Sequence, residues 1–398
     1  MFFNHRENYP QKEVQQLLDT LLQTTEMVWD GALQHRLAGR SSKALLSLEG
    51  FPAVAADKVK SYRMLLGGPL RPSVASSIFT CSSEAIRRSR TIINDPEERE
   101  KKVCQFFQIL CRYVSDHLLV PSLRACKKLL PRPASNVARA ALQEMTGGER
   151  LPTRDFYEAI RGVTGLSSSL EDHYKHTVAP GMEGATTLQT IARDTLGGFL
   201  QRVDGFTEKV LQRSLELLVV FAERELSNRS NKNDYCPKED SAIVQATRTT
   251  KVVCAMLEEQ YSVASECLKE MDLRSMWAAV GMEVHRLFVE HLKRTKVNVI
   301  GAFILTNDVN RLQEVMGSFD SQEVTSALDG LRELINLFVV PPENLTTLME
   351  QGVMADMGRD ELKEFVRIRA DYHTGVTRSQ WARDLFAEDE GFVSFGGG

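Results

Sequence analysis

The chain has 398 residues, of which 42% are hydrophobic, 26% charged and 7% aromatic. This composition is typical of a globular protein and excludes wholesale disorder, and the length allows two or three domain-sized units or one extended helical rod. With 53 acidic and 49 basic residues, the net charge of −4 predicts neither nucleic-acid binding nor a general attraction to anionic membranes. Any charged partner therefore has to be met by a local patch.

The cysteines and the apolar runs predict the compartment. The seven cysteines are scattered singly without a Cys-x-x-Cys pair, which indicates reduced thiols packed as small hydrophobic side chains. The sequence turns polar directly after Phe2 and Phe3, unlike a signal peptide. The longest apolar runs are far shorter than the roughly 18 residues needed to span a bilayer. We therefore expect a cytoplasmic protein that contacts membranes only peripherally.

Short glycine- and proline-rich stretches interrupt the helical pattern of the N-terminal part, at Gly67–Pro69, Pro131–Pro133 and Gly147–Gly148. We place a soft boundary at the last of them, which separates an N-terminal helical bundle region (1–148) from C-terminal helical bundles (149–378). Only Pro237 interrupts the segment from 181 to 340. Because proline removes a helix hydrogen bond and clashes with the preceding turn, this proline-poor segment permits long helices.

Four segments of the chain carry apolar residues at spacings of three and four, which predicts amphipathic helices with one buried face. Their apolar positions are Leu211, Leu215, Leu218 and Ala222; Trp277, Val280, Val284 and Leu287; Val309, Leu312, Met316 and Phe319; and Val324, Ala327, Leu328, Leu331, Leu334, Ile335 and Phe338. No comparable run alternates strictly between apolar and polar residues. The sequence therefore predicts an all-α fold.

The last of these helices has recognisable ends. Asp320, with Glu323 three residues on, fits a capping box and is predicted as the N-cap. Pro341 and Pro342 end the helical pattern. Residues 379–398 are acidic at Glu388–Glu390 and finish in three glycines, which predicts a flexible tail.

The sequence offers little catalytic equipment. His173 and His176 are one helical turn apart and, with Glu171 or Asp172, could bind zinc, which keeps a metal-dependent enzyme open as an alternative. A polar helix end is the favoured interpretation, because no His-Glu-x-x-His signature is present. Phosphate-binding glycine loops and a Gly-x-Ser-x-Gly elbow are missing, and the serines Ser167–Ser169 have the composition of a loop. We predict no catalytic residue, metal or cofactor.

Three basic clusters are the candidate binding residues. They are Arg87, Arg88 and Arg90; Arg124, Lys127 and Lys128, followed by Arg132; and Lys293, Arg294 and Lys296. Cations near a helix C-terminus complement the helix dipole, and this role is favoured. Docking to anionic lipid or to an acidic partner remains open. Arg367 and Arg369 are expected to pair internally, with Asp371 or with a neighbouring helix.

Several separated motifs resemble one known family. They are Glu283–Arg294 (Glu-Val-His-Arg-Leu-Phe-Val-Glu-His-Leu-Lys-Arg), Asn307–Gln313 (Asn-Asp-Val-Asn-Arg-Leu-Gln), Leu337–Leu345 (Leu-Phe-Val-Val-Pro-Pro-Glu-Asn-Leu) and Phe365–Tyr372 (Phe-Val-Arg-Ile-Arg-Ala-Asp-Tyr). Their order is that of the C-terminal region of exocyst complex component 5, the Sec-ten subunit. The resemblance is clear from about 206 to 378 and weaker between about 100 and 205.

The resemblance implies an elongated rod of stacked helical bundles, as in multisubunit vesicle-tethering complexes. It also implies a non-enzymatic exocyst subunit that tethers Golgi-derived secretory vesicles to the plasma membrane before fusion. The implied partners are other exocyst subunits, chiefly the Sec-fifteen subunit, and an Arf- or Rab-class small GTPase, with no nucleic acid. The implied location is the cytoplasm, with peripheral recruitment to vesicles and to exocytic sites on the plasma membrane.

The chain also departs from this family. Its members are considerably longer and carry an N-terminal coiled-coil region that nothing here resembles, so we expect a fragment or an incomplete gene model. The acidic tail exceeds the usual family ending. An unrelated helical adaptor remains the alternative non-enzymatic interpretation.

Overall fold

The computed structural model describes residues 65–66, 69–130, 151–182, 184–228, 231, 233–238, 245–350 and 352–374. Within these ranges every named element is helical, and the β-type pairing is an isolated parallel bridge between Val297 and Arg369. The predicted all-α class is confirmed. The breaks at Gly67–Gly68, Pro131–Pro133 and Gly147–Gly148, and the tail 379–398, lie outside the described residues.

The chain divides into two compact units, Met1–Ser214 and Leu215–Gly398. The helices of the first unit are α1 (Pro72–Ile92), α2 (Pro96–Tyr113), α3 (Val120–Leu129), α4 (Arg154–His173) and the first part of α5 (Thr186–Asn228). Helix α1 packs on α2 and α4, and α3 also packs on α4. Phe107, Phe156 and Tyr157 are among its fully buried side chains.

Helices α2 and α3 form one continuous helical stretch in spite of Pro121. A π-helical segment, Val114–Leu119, joins them, and the Val120 amide donates to the Ser115 carbonyl at its end. Pro121 stands in the first turn of α3. In the π-helical turn an amide donates to the carbonyl five residues back, and not four, which shifts the hydrogen-bond partners. A proline in the first turn of a helix lacks only an amide that is often unpaired there.

The serines Ser167–Ser169 lie inside α4, so their prediction as a loop was wrong. Ser167 donates to the carbonyl of Val163, and Ser169 donates to the carbonyl of Gly165. Each hydroxyl is thus satisfied one turn back in the same helix, which removes the need for a turn conformation.

The second unit contains the rest of α5 and the helices that follow it. These are α6 (Arg248–Ser265), α7 (Glu270–Leu292), α8 (Val299–Met316), α9 (Gln322–Leu334), α10 (Asn336–Val339), α11 (Leu345–Met349), α12 (Gly352–Asp356) and α13 (Arg359–Arg367). Helix α8 packs on α6, α9 and α10, while α7 packs on α6 and α9.

Three of the predicted apolar stripes line the core of this unit, and the fourth lies on α5. All the predicted positions are buried except Ala327, which is partly exposed. Tyr261, Trp277 and Phe319 form an aromatic cluster with ring centroids between 4.9 and 5.3 Å apart. A Cβ on Gly281 would approach Val324 Cγ2 to 2.8 Å, so glycine permits the close packing of α7 on α9.

The N-cap of helix α9 lies one residue after the predicted one. Ser321 is the N-cap, and its side chain accepts from the Val324 amide. Asp320 has a left-handed backbone with φ of 52°, and its carboxylate pairs with Arg274 at 2.6 Å. The prediction of Asp320 as the N-cap was therefore wrong, because a left-handed residue does not have the extended backbone of an N-cap.

Candidate interaction surfaces and their buried supports

A buried carboxylate organises the polar contacts of the second unit. Asp308 on α8 is fully buried. It accepts the Tyr235 hydroxyl at 2.6 Å, the Thr247 amide at 2.6 Å and the Thr247 hydroxyl at 2.9 Å. Burial raises the pKa of the Asp308 carboxyl, while these hydrogen bonds to its ionised form oppose the rise. Through Asp308, α8 is thus hydrogen-bonded to Tyr235 and to Thr247, which lie on either side of residues 239–244 in the sequence.

Asn298, just before α8, also binds the chain segment that contains Tyr235. The Asn298 amide donates to the Tyr235 carbonyl at 3.0 Å, and the Asn298 side-chain amide donates to the Pro237 carbonyl at 2.9 Å. Asn298 also caps α8 by accepting from the Gly301 amide. A Cβ on Gly301 would lie 1.7 Å from the Tyr235 carbonyl oxygen. Only glycine permits this close approach.

Arg369 joins two of the sequence motifs that resemble the exocyst family. Its side chain is nearly fully buried and forms a two-pronged ion pair with Asp371, at 2.8 and 2.7 Å. The same guanidinium donates to the Leu337 and Val340 carbonyls, at 2.9 Å for Val340. The predicted internal pairing of Arg369 with Asp371 is confirmed. The contact fixes the C-terminal segment to the end of α10, just before Pro341.

Backbone pairing strengthens this attachment. The Val297 amide donates to the Ile368 carbonyl at 2.9 Å, and the Ala370 amide donates to the Val297 carbonyl at 2.8 Å. The exposed Arg367 contributes its carbonyl, which accepts from Lys296 Nζ at 2.9 Å. The loop between α7 and α8 is thereby bound to the chain segment that follows α13.

The third basic cluster lies at this attachment. Lys293 Nζ is 2.7 Å from Glu364 and 5.1 Å from the centre of the Phe365 ring. Arg294 is exposed, 4.0 Å from Glu290. Two members of the cluster, Lys293 and Lys296, thus contact α13 or its final carbonyl within the same unit.

The first basic cluster lies at the exposed end of α1. Arg87, Arg88 and Arg90 are exposed, and Arg88 pairs with Glu84 one turn away at 3.3 Å. Arg90 lies in the last turn of α1, where its charge complements the helix dipole.

The second basic cluster lies on the exposed face of α3. Arg124, Lys127 and Lys128 are exposed, and the Arg124 guanidinium lies 5.5 Å from the centre of the Phe206 ring on α5. Lys209 Nζ lies 5.4 Å from the same ring. Arg132, predicted to follow this cluster, lies outside the described residues. The sequence did not predict that Phe206 and Lys209 lie beside this cluster, because nothing in the spacing links α5 to α3.

The two histidines weighed as a zinc pair have different surroundings. His173 is buried, with Nε2 3.0 Å from the Ser82 hydroxyl and its ring stacked on Phe79 at 5.3 Å between centroids. His176 is exposed. Residues 174–178 form a π-helical segment, whose wider turn moves residues three apart off a common face. Across the described ranges, no group of three or more His, Cys, Asp or Glu is placed to hold a metal ion.

The cysteines match their predicted role. None of the seven forms a disulfide, and five of them are buried. Burial raises the pKa of Cys111, Cys126 and Cys254 to about 12. These three therefore remain protonated and pack as small hydrophobic side chains. None of the helices among the described residues is both long and apolar enough to cross a membrane.

A family model described as "Exocyst complex component Sec10-like, alpha-helical bundle" matches residues 40–380. The chain belongs to this family. Its helical architecture agrees with the description, and the matched region contains the Asp308 and Arg369 contacts described above. The resemblance seen in the separated motifs is confirmed, and an adaptor of unrelated ancestry is excluded.

Individual exocyst components are distant relatives of this chain. Exocyst complex component SEC10 of Saccharomyces cerevisiae is 24% identical over 219 residues, covering 55% of this chain and 25% of that protein. Exocyst complex component 5 of Dictyostelium discoideum is 22% identical over 315 residues, covering 78% and 31%. The human component 5 is 26% identical over 165 residues, covering 41% and 23%. The chain thus spans about a quarter to a third of the length of these Sec10-like relatives.

Solved structures add no functional argument. A chain in the structure titled "Structure of Myo2-GTD in complex with Mmr1" aligns over 97% of this Sec10-like chain and 87% of its own length, with a TM-score of 0.44 and 13% identity. A similarity of this size supports no inference about function.

Proposed function

We propose that the chain is part of a non-enzymatic subunit of the exocyst, which tethers Golgi-derived secretory vesicles to the plasma membrane before fusion. The match of the Sec10-like helical bundle model to residues 40–380 carries the proposal. Exocyst components from yeast, Dictyostelium and human match the same chain. In this function the chain acts by presenting surfaces, since tethering gains its strength from several linked weak contacts.

The proposed partners are the other exocyst subunits, chiefly the Sec-fifteen subunit, together with an Arf- or Rab-class small GTPase. The proposed location is the cytoplasm, with peripheral recruitment to vesicles and to exocytic sites. A helical-bundle protein supports such a role because its exposed helix faces can bind helices of other subunits without a pocket. We also retain the division into 1–148, 149–378 and the tail 379–398 as a proposal.

We propose different roles for the three basic clusters. Lys293 and Lys296 contact the C-terminal segment of their own unit, which supports a structural role for the third cluster. The first and second clusters are exposed on α1 and α3. We propose these two as the surfaces that meet an acidic partner or an anionic membrane.

The test is a pull-down of the tagged chain from a lysate of its source cells, with quantitative mass spectrometry of the retained proteins. We expect enrichment of exocyst subunits, led by the Sec-fifteen subunit, over a tag-only control. The matched control is Gly301→Val, since any Cβ at this position would clash with the Tyr235 carbonyl. Enrichment by the folded wild-type chain but not by this variant identifies contacts that depend on the native second unit.

The opposite outcome is equally clear. If a wild-type chain that is helical by circular dichroism enriches no exocyst subunit, the proposed function is wrong for this chain. Equal enrichment by wild type and Gly301→Val, with the variant unfolded by circular dichroism, would also contradict the proposal, because it would show adhesion of an unfolded chain.

A further inference from the structure

Two cations from different helices share one aromatic ring in the first unit. Arg124 of α3 lies 5.5 Å from the centre of the Phe206 ring, and Lys209 of α5 lies 5.4 Å from it. Phe206 is partly exposed, while both cations are exposed. Cation–π contacts at such distances hold a charged side chain over the ring face. The ring therefore fixes two positive charges at the junction of α3 and α5.

Further cations extend this surface along both helices. Lys127 and Lys128 follow Arg124 at three and four positions, which places all three on one face of α3. On α5, Arg202 precedes Phe206 by four positions and so lies on the Phe206 side of that helix. Arg202 pairs with Asp116 at 2.9 Å. The basic surface formed by Arg124, Lys127, Lys128, Phe206 and Lys209 is thus bordered by an ion pair.

The two acidic residues of α5 nearest to Phe206 in sequence lie on the opposite side of the helix from the ring. Asp204 and Glu208 are exposed, each two positions from Phe206. Because successive residues of an α-helix are about 100° apart, these carboxylates point about 200° round the helix from the ring. Neither of these two carboxylates therefore faces the Phe206 ring.

We propose that this basic surface binds an acidic helical segment of another exocyst subunit. The inference rests on the proposed function and adds the surface and the chemistry of its partner. Residues three or four apart on one helix have Cβ atoms about 5–6 Å apart. The Cβ atoms of Arg124 and Lys128, one turn apart on α3, have the same spacing. Acidic side chains one turn apart on a partner helix can therefore pair with Arg124, Lys127 and Lys128 of α3. Acidic side chains beside them on the same partner helix can then reach Lys209.

The geometry favours a protein partner over a lipid surface. Peripheral membrane binding is strengthened by exposed apolar side chains that insert between headgroups. Within the described ranges, the large hydrophobic side chains that are exposed are Ile92, Ile191, Met271, Val299, Phe303 and Val339. None of these belongs to the basic surface, and the partly exposed Phe206 ring is contacted by two cations.

The experiment compares the recovery of exocyst subunits by the wild-type chain and by Lys127→Glu/Lys128→Glu/Lys209→Glu. We expect the triple variant to recover about tenfold less of its direct partner at physiological salt, because charge complementarity is replaced by repulsion. The matched control is Lys101→Glu/Lys175→Glu/Lys251→Glu, which makes the same charge change at three exposed lysines elsewhere. We expect this control to retain recovery within about twofold of wild type.

A zero-length carbodiimide cross-linker then identifies the carboxylates that touch the surface in the assembled complex. We expect amide cross-links from Lys127, Lys128 or Lys209 to Asp or Glu residues in one helical segment of another subunit. Cross-links from these lysines only to carboxylates of their own chain, in a complex that yields other inter-subunit cross-links, would overturn the inference.

The outcomes separate this inference from the proposed function. A wild-type chain that recovers no exocyst subunit contradicts the function itself. A wild-type chain that recovers them equally with the Lys127, Lys128 and Lys209 variant leaves the function standing and overturns the surface. Loss of binding to phosphatidylcholine vesicles containing about one third phosphatidylserine, with unchanged subunit recovery, would assign the surface to the membrane instead.

Phe206 provides a second, independent variant. In this inference it is a positioning residue, since it holds Arg124 and Lys209 without contributing charge. We expect Phe206→Leu to weaken subunit recovery by about threefold and Phe206→Trp to restore it, because tryptophan is the better cation–π partner. A structural role alone would make the larger tryptophan as harmful as leucine, so failure of this rescue would contradict the positioning role.

Discussion

Tyr235 and Asp308 are 73 positions apart in the chain and are joined by a buried hydrogen bond of 2.6 Å. The tyrosine hydroxyl donates to a carboxylate that also accepts two hydrogen bonds from Thr247. Burial, followed by the nearby Asp308 charge, raises the pKa of the Tyr235 phenol well above its usual value. The phenol therefore remains a donor at physiological pH.

Removal of this donor tests the importance of the contact. We expect Tyr235→Phe to lower the free energy of unfolding by about 1–3 kcal/mol, because the Asp308 charge stays buried with one donor fewer. Asp308→Ala should cost more, since it leaves the Tyr235 and Thr247 donors without their acceptor. Urea denaturation measures both.

Asp329→Ala is the matched control for Asp308→Ala. Asp329 is exposed on α9 and accepts from the Gln313 side chain, so we expect a change within about 0.5 kcal/mol. A similar cost for Asp308→Ala and Asp329→Ala would contradict a structural role for the buried carboxylate.

Gly301 offers a test of backbone packing. A Cβ at this position would lie 1.7 Å from the Tyr235 carbonyl oxygen, and backbone cannot move away as a flexible side chain can. We therefore expect Gly301→Ala to lower the free energy of unfolding by roughly 3 kcal/mol or more. The measurement is chemical denaturation followed by circular dichroism.

Gly317, just after the other end of α8, is the matched position. A Cβ there would have no neighbour within 4 Å, and its φ of −59° suits any residue. We expect Gly317→Ala to change the free energy of unfolding by less than about 0.5 kcal/mol. Equal effects at the two glycines would show that helix propensity, and not the close approach to Tyr235, sets the cost.

Arg369 makes a prediction about the C-terminal segment. Lysine keeps the charge but cannot reproduce the two-pronged pair with Asp371 together with the bonds to Leu337 and Val340. We expect Arg369→Lys to destabilise the second unit by about 2–4 kcal/mol. Hydrogen exchange should report faster opening at the Val297 and Ala370 amides, which pair across the same junction.

Asp371→Asn serves as the comparison within this pair. The Asp371 side chain is 41% exposed, so its part of the ion pair is weakened by solvent screening. We expect it to cost less than Arg369→Lys, on the order of 1 kcal/mol. If the Val297 and Ala370 amides exchange at wild-type rates in Arg369→Lys, the guanidinium does not hold this junction.

His173 makes the stability of the first unit depend on pH. Burial lowers the pKa of His173 from 6.5 to about 4. The unfolded chain therefore binds a proton between these values while the folded chain does not. The stabilising contribution is fully present above pH 6.5 and is lost as the pH falls towards 4.

The test compares wild type with His173→Gln, which retains a polar group facing Ser82. Between pH 7.5 and 5 we expect wild type to lose about 2 kcal/mol more than the variant in the free energy of unfolding. Burial also lowers the pKa of His285 and His291, and their contribution is common to both proteins. Parallel pH profiles for the two proteins would contradict the assignment.

The sequence was informative wherever one helix face determines burial. The stripe from Val324 to Phe338 correctly predicted the buried side of α9 and α10, because an apolar face has to leave water in any packed arrangement. The cap was misplaced because Asp320 and Ser321 are both acceptable capping residues. Backbone conformation chose between them, and the pairing of Asp320 with Arg274 follows from tertiary packing.

The histidine pair shows a second limit. Spacing alone placed His173 and His176 one α-helical turn apart, but a π-helical segment changed their relative direction. The sequence also showed the motif around Asp308 without revealing its role. An aspartate between asparagine and valine has the composition of a solvated helix position, and its partners are distant in sequence.

By itself the sequence determined an all-α protein with several buried helix faces, reduced cysteines and the ordered motifs of the Sec10-like family. These features depend on composition and on spacing within single helices. Only the tertiary structure decided that Asp308 binds Tyr235 and Thr247, that Arg369 joins two motifs, and that Phe206 contacts both Arg124 and Lys209. Such contacts join residues far apart in the chain, and their formation depends on how helices pack, which no local periodicity specifies.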